Sequence, residues 1–192
     1  MSDYIYLIVG ASGSGKSTIS RILQNDYGMK AVQSYTTRPP RCSNEEGHIF
    51  ISDEAFNSLT PVAFTQIGKY RYCATARQLD MNDIYVIDPE GVYSLERCYE
   101  GSKTPIVFYI DAPRKVRRER MMKRGDPLLD IKFRLRNDRR PFAKFKRKAA
   151  RLLLTYQSFV IDNSSNDINE AVAEVLNIIG SLNTSQATME EE

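Results

Sequence analysis

The chain has 192 residues, 42% of them hydrophobic, and a formal net charge of +3. That size suits one compact domain with small insertions, the apolar content is not that of a disordered chain, and so small a charge names no partner. No apolar run approaches the ~20 residues that span a bilayer, and Met1-Ser2-Asp3-Tyr4 lacks the basic and apolar stretches of a secretory signal, so a cytoplasmic protein without membrane partners is expected.

In chain order, Ile5-Tyr6-Leu7-Ile8-Val9 is a short apolar run ending at Gly10, as in a buried parallel strand. Ser17 to Asn25 has helical spacing, with Ile19, Ile22 and Leu23 on one face. Residues 34–83 interrupt the pattern with Tyr, Thr, Pro and Arg and read as an inserted substrate-binding subdomain. Apolar strands resume at Ile84-Tyr85-Val86-Ile87-Asp88, which runs into a Pro-Glu-Gly turn, at 105–111 and at 159–162. Helices are expected at 113–124, 130–157 and 167–182, with a frayed polar tail from Asn183 to Glu192. Strands alternating with helices predict an α/β fold with a mainly parallel sheet covered on both faces. Cys42, Cys73 and Cys98 are odd in number and lack metal-site spacing, so free thiols are expected. The sequence sets no oligomeric state.

Gly10-Ala11-Ser12-Gly13-Ser14-Gly15-Lys16-Ser17 lies between the first strand and the first helix. Glycines let backbone amides turn inward around phosphate oxygens, and the helix points its positive end at the same place. Lys16 can then reach the outer phosphates and Ser17 can ligate magnesium. Such a P-loop alone does not separate a kinase from a motor, a switch or a transporter.

The next segment is more selective. Ser34-Tyr35-Thr36-Thr37-Arg38-Pro39-Pro40-Arg41 sets two arginine forks on a proline-stiffened loop, each suited to a phosphate dianion. Farther on, Arg120 and Arg124 stand four apart on one helical face, a repulsive spacing unless an anion lies between them. Gly125-Asp126-Pro127 then breaks the helix and Arg134 follows, as in a movable flap. Asp88 ends a strand, where carboxylates of parallel sheets face the ligand crevice. The basic residues from Arg134 to Arg151 could meet nucleic acid, but a solvated helix face is the favoured reading.

The order of P-loop, Ser34-x-Thr36-Thr37-Arg38-x-Pro40-Arg41, Glu46-Gly47, Phe50-Ile51-Ser52, Tyr72, Asp88-x-x-Gly91 and an arginine-rich lid resembles guanylate kinases from Tyr4 to about Val175. The resemblance implies a three-layer P-loop kinase fold with a core of 1–33, 84–118 and 141–182, the insertion 34–83, a helical lid at 119–140 and a flexible tail at 183–192. It implies a transferase that uses ATP and magnesium on a small phosphorylated acceptor, a nucleoside monophosphate. Gly10 through Thr18, with Asn163 near adenine, would bind ATP. Ser34, Arg38, Arg41, Tyr72 and Asp88 would bind the acceptor, with Asp88 also positioning magnesium or its waters. Lys16, Arg38, Arg120, Arg124 and Arg134 would serve catalysis. His48 stands where such kinases place a phosphate-binding tyrosine.

The pattern departs at the base. The positions that meet the guanine donors hold Ala63, Ala74 and Val86, so strict guanine recognition is not expected. The shortened Glu46-Gly47-His48-Ile49 piece also resembles ribose 1,5-bisphosphate phosphokinases, whose acceptor carries no base. A non-catalytic interaction module of guanylate kinase-like fold is the third reading, weakened by the intact Gly15-Lys16-Ser17.

Overall fold

A computed structural model describes residues 3–40, 43, 45–151 and 154–189. Arg41 and Cys42 lie outside the described residues, so the expected place of Arg41 at the acceptor has no structural counterpart here.

The main sheet is wholly parallel, in the order β6 (Ile84–Val86), β1 (Tyr4–Val9), β7 (Thr104–Asp111), β8 (Ser158–Asp162). Alternation along β1 explains its two-sided burial. Ile5, Leu7 and Val9 face one core with Val107, Tyr109 and Phe145. Tyr6 and Ile8 face the other with Phe108 and Ile161. The first core is closed by helices α4 (Pro89–Cys98) and α7 (Arg139–Ala150), the second by α1 (Lys16–Tyr27) and α8 (Ile168–Met189). The expected α/β fold with a mainly parallel sheet is thus observed.

A second sheet has the order β3 (His48–Phe50), β2 (Ser34–Thr36), β5 (Tyr70–Ala74), β4 (Ala63–Ile67). β2 pairs parallel with β3, and the β2–β5 and β4–β5 pairs are antiparallel. Two short helices, α2 (Asp53–Asn57) and α3 (Ala76–Asp80), start at Ser52 and Thr75, whose side chains accept the amides of Ala55 and Gln78. Cys73 is buried in β5 opposite Tyr35 and Phe64, and Cys98 is exposed at the end of α4.

Several boundaries differ from expectation. The Pro-Glu-Gly segment is not a turn: Pro89 opens α4, and Asp88 caps it by accepting the Gly91 amide at 2.8 Å. The long helix expected over 130–157 is two, α6 (Leu128–Asn137) and α7, meeting at Asp138. Pro141 supplies no N–H for the Asn137 carbonyl and is tolerated only in the first turn of a new helix. α5 (Arg114–Lys123) precedes them, and Gly125 turns between α5 and α6 with φ of 86°. α8 passes the expected boundary at Leu182 and continues to Met189. Among the described residues no helix is long and apolar enough to cross a membrane. In α7, Phe145 and Ala149 are buried while Arg140, Lys144 and Arg147 are exposed, so most of its charge is a solvated face over an apolar one.

Candidate active site

The loop from Gly10 to Ser17 joins β1 to α1. At Gly10 an added Cβ would stand 2.5 Å from the Ile110 carbonyl oxygen, so only glycine lets the chain leave the sheet there. Gly15 takes φ of 105° immediately before α1. The loop's carbonyls are held from outside. Asn163 Nδ2 donates to Ser14 O at 2.7 Å, Arg117 Nη1 to Ser12 O at 3.3 Å and Arg120 Nη1 to Ser14 O at 3.4 Å. At least one amide meets an anion: Ser12 N–H donates to Asp138 Oδ2 at 2.7 Å. A carboxylate oxygen thus sits where an oxyanion-binding loop would take a phosphate oxygen.

Lys16 is half-buried as a residue, but its ammonium is turned on to the Ala11 carbonyl at 3.1 Å. Burial lowers its pKa to about 8, and the nearby Asp138 carboxylate opposes that shift. Ser17 is exposed at the start of α1. On one flank of the loop a cavity of about 380 Å³ is lined by Gly13, Gly15, Thr18, Arg120 and Arg124. Asn163 does not line it. It is buried and holds the loop, while Asn166 lies on the cavity wall.

On the opposite flank a cavity of about 340 Å³ joins the loop to the second sheet. Gly10, Ser12 and Lys16 form its loop side, and Ser34, Arg38, Tyr72 and Asp88 its far side. Arg38 is 7% exposed and forms a two-pronged pair with Glu45, with nitrogen–oxygen distances of 2.6 and 3.1 Å. Glu45, more than any other neighbour, holds the guanidinium above its ordinary pKa, with Tyr72 adding to the effect. The Arg38 Nε is buried with no hydrogen-bond partner among the described residues. Ser34 Oγ and His48 Nδ1 share a hydrogen bond of 2.8 Å, and the His48 and Tyr72 rings stand 5.7 Å apart. Asp88 Oδ1 accepts both the Gly91 amide and, at 2.7 Å, the Thr65 hydroxyl.

Ala63 and Val86 line this cavity. Ala74 does not: it is fully buried opposite Ala63 across β4 and β5. The polar groups on the same wall are Ser34, His48, Thr65 and Tyr85. Burial raises the Tyr85 hydroxyl well above its ordinary pKa, so it stays a neutral hydroxyl at physiological pH.

The three expected lid arginines are divided. Arg120 turns to the loop side, donating to Ser165 O at 2.8 Å and Asn163 Oδ1 at 3.4 Å, and burial lowers its pKa. Arg124 binds Asp126 through two contacts of 2.8 and 2.5 Å, and Arg134 reaches the same carboxylate at 3.4 Å. The Asp126 carboxylate thus lies between Arg124 and Arg134.

Sequence reasoning missed Glu45, Thr65, Tyr85, Arg117 and Asp138. Apart from Glu45, all come from elements distant in the chain from the groups they meet, so no local spacing pointed to them. Glu45 lies seven residues from Arg38, but in a loop without periodicity.

Comparison with known proteins finds guanylate kinases. The chain is 25% identical over 147 residues to a guanylate kinase of Polaromonas sp., covering 69% of this chain and 70% of that protein. It is 24% identical over 144 residues to a guanylate kinase of Psychrobacter arcticus, 68% of each chain. A shorter match of 58 residues is 47% identical to the guanylate kinase of Neisseria gonorrhoeae, but spans only 28% of that relative. No family model matches the chain. The resemblance to guanylate kinases therefore extends beyond isolated motifs, at low identity.

Proposed function

We propose that the chain is an ATP-dependent phosphotransferase of guanylate kinase type, moving the γ-phosphoryl group of ATP to a nucleoside monophosphate. The observation that carries this reading is the cavity in which Lys16 and the Ser12 amide face Arg38, Tyr72 and Ser34. Two anion sites thus share one space. The carboxylate on the Ser12 amide and the unpartnered Nε of buried Arg38 support oxyanion binding at both ends. In this reading 34–83 is the acceptor subdomain and 119–140 the lid, and the cytoplasm supplies both nucleotides.

Lys16 and the loop amides would hold the donor phosphates, with Thr18 and Arg120 beside the rest of the nucleotide. Arg38 and Tyr72, with Arg41, would hold the acceptor phosphate, and Arg124 and Arg134 would exchange Asp126 for the phosphoryl group in transit. Fixed cations in a site closed to water stabilise the spread charge of phosphoryl transfer and limit hydrolysis. No general base is required, because the attacking phosphate oxygen is already anionic.

The donor set fits magnesium if most ligands come from phosphate and water, the usual habit of this hard cation. Among the described residues no three His, Cys, Asp or Glu side chains converge on a metal position. Ser17 would be the direct ligand, and Asp88 would act through water. Bound there, the ion would neutralise phosphate charge.

The apolar wall at Ala63 and Val86 favours a second reading, in which the acceptor is a phosphorylated sugar such as ribose 1,5-bisphosphate. One ATP-consumption assay separates the two, run over GMP, dGMP, the other ribo- and deoxynucleoside monophosphates and ribose 1,5-bisphosphate. Turnover with a nucleoside monophosphate is expected. Turnover with the sugar bisphosphate alone would transfer the function to the second reading, and turnover with no acceptor would overturn both.

A further inference from the structure

Asp138 occupies the junction of α6 and α7, where an aspartate would ordinarily cap the second helix. It makes no side-chain cap bond. Its carboxylate instead crosses to the loop and accepts the Ser12 amide at 2.7 Å, 126 residues away in sequence. It is also 3.8 Å from Arg117 Nη1, and its side chain is only 14% exposed. Its field reaches Lys16. One carboxylate thereby addresses two donors that the loop offers to an anion, the Ser12 amide and the Lys16 ammonium. It does so on the wall of the acceptor cavity, the side of the loop where the outermost phosphate of a donor nucleotide would lie.

We propose that Asp138 is a tethered stand-in for the γ-phosphoryl group and sets the preference of the loop between nucleoside triphosphate and diphosphate. The inference rests on the nucleotide-site reading above. A triphosphate brings a dianion to an amide already held by a carboxylate and to an ammonium within that carboxylate's field, and two like charges cannot share them, so Asp138 must leave. A diphosphate ends one phosphate short and leaves the Ser12 amide to Asp138. The carboxylate therefore weakens ATP binding while leaving ADP binding nearly untouched.

Space for the displaced carboxylate is present. Behind it lies a cavity of about 750 Å³, lined by Arg114, Arg117, Arg136, Arg139 and Lys146. The same wall carries Tyr109, Leu135, Phe142 and the Asp111 carboxylate that pairs with Lys146, so a carboxylate leaving the amide would meet arginines set in a mixed wall. Arg134 stands one turn before Asp138 on the same helix, and its carbonyl accepts the Asp138 amide at 2.9 Å. The two side chains share one helical face, so a shift of that turn would move both together.

The test is calorimetric titration of wild type, Asp138→Asn and Asp138→Glu with ATP and with ADP, both with magnesium. Asparagine retains the shape and a neutral acceptor, and glutamate retains the charge. In Asp138→Asn, ATP is expected to bind about tenfold tighter, the size of one hydrogen bond to a charged group, with ADP changing by less than about twofold. Asp138→Glu is expected to keep the wild-type ratio. Equal shifts for ATP and ADP, weaker ATP binding, or a loss of turnover at an unchanged binding ratio would each overturn the inference while leaving the nucleotide site standing. A wild-type protein that binds neither nucleotide would overturn the nucleotide site and this inference together.

Discussion

On the donor side of the cleft the groups that would meet phosphate belong to one continuous loop, and its amides are aimed by the backbone itself. On the acceptor side they are side chains gathered from several strands: Ser34 from β2, His48 from β3, Tyr72 from β5, with Arg38 on the loop after β2. A backbone cradle keeps its chemistry whatever most of its side chains are. A side-chain pocket is re-addressed one residue at a time. On the proposed reading the donor half keeps a general phosphate site, while the cavity wall that holds Arg38 also carries Ala63 and Val86.

The largest effect that would sharpen this contrast is at Lys16. Lys16→Ala is expected to lower phosphoryl transfer by about 10³-fold, the scale for losing a charge-stabilising donor. Its thermal unfolding temperature should not fall, because burial lowers the pKa of the ammonium and so disfavours its charged form in the fold. Undiminished turnover would break the donor assignment. Next is Arg38→Lys. Lysine has no guanidinium fork to set on the proposed acceptor phosphate, so the acceptor KM is expected to rise about tenfold or more with a much smaller change in the KM for ATP. An equal change in both would show that the two halves are not separate.

Gly15→Ala tests the backbone side. With φ of 105° and Asn163 Nδ2 in the path of a Cβ, alanine there is expected to cost about 1–3 kcal/mol in unfolding free energy and to weaken ATP binding. The smallest effect is in pH dependence. On the proposed reading the cationic form of Lys16 holds phosphate, and burial brings its pKa to about 8. The value of kcat/KM for ATP, which reports the free enzyme, is therefore expected to fall as pH rises through about 8. The acceptor KM should not follow the same limb.

What could be read from the chain alone follows the same division. Gly10 to Ser17 are contiguous and lie between an apolar run and a helical one, so both the motif and its setting were legible. The parallel sheet was legible because its strands are buried on both faces and read as unbroken apolar runs. Asp138 was not, since nothing between it and Ser12 marks a pairing across 126 residues. The division of α6 from α7 depended on Pro141, whose missing N–H matters only once a helix start is placed near Asp138. Asp88 lines the cleft, but its service as the cap of α4 was hidden because Pro89 in a Pro-Glu-Gly run also reads as a turn former.

Cys73 has a consequence in chemical reactivity. Burial between β2 and β4 pushes its thiol up to about 11, so almost none is thiolate at neutral pH. Cys98 lies exposed at the end of α4. An alkylating reagent would meet Cys98 at once and Cys73 only when the strands around it part. The ratio of the two alkylation rates is thus a native clock for the opening of the smaller sheet, and an acceptor that settles on that sheet should slow one hand and leave the other running.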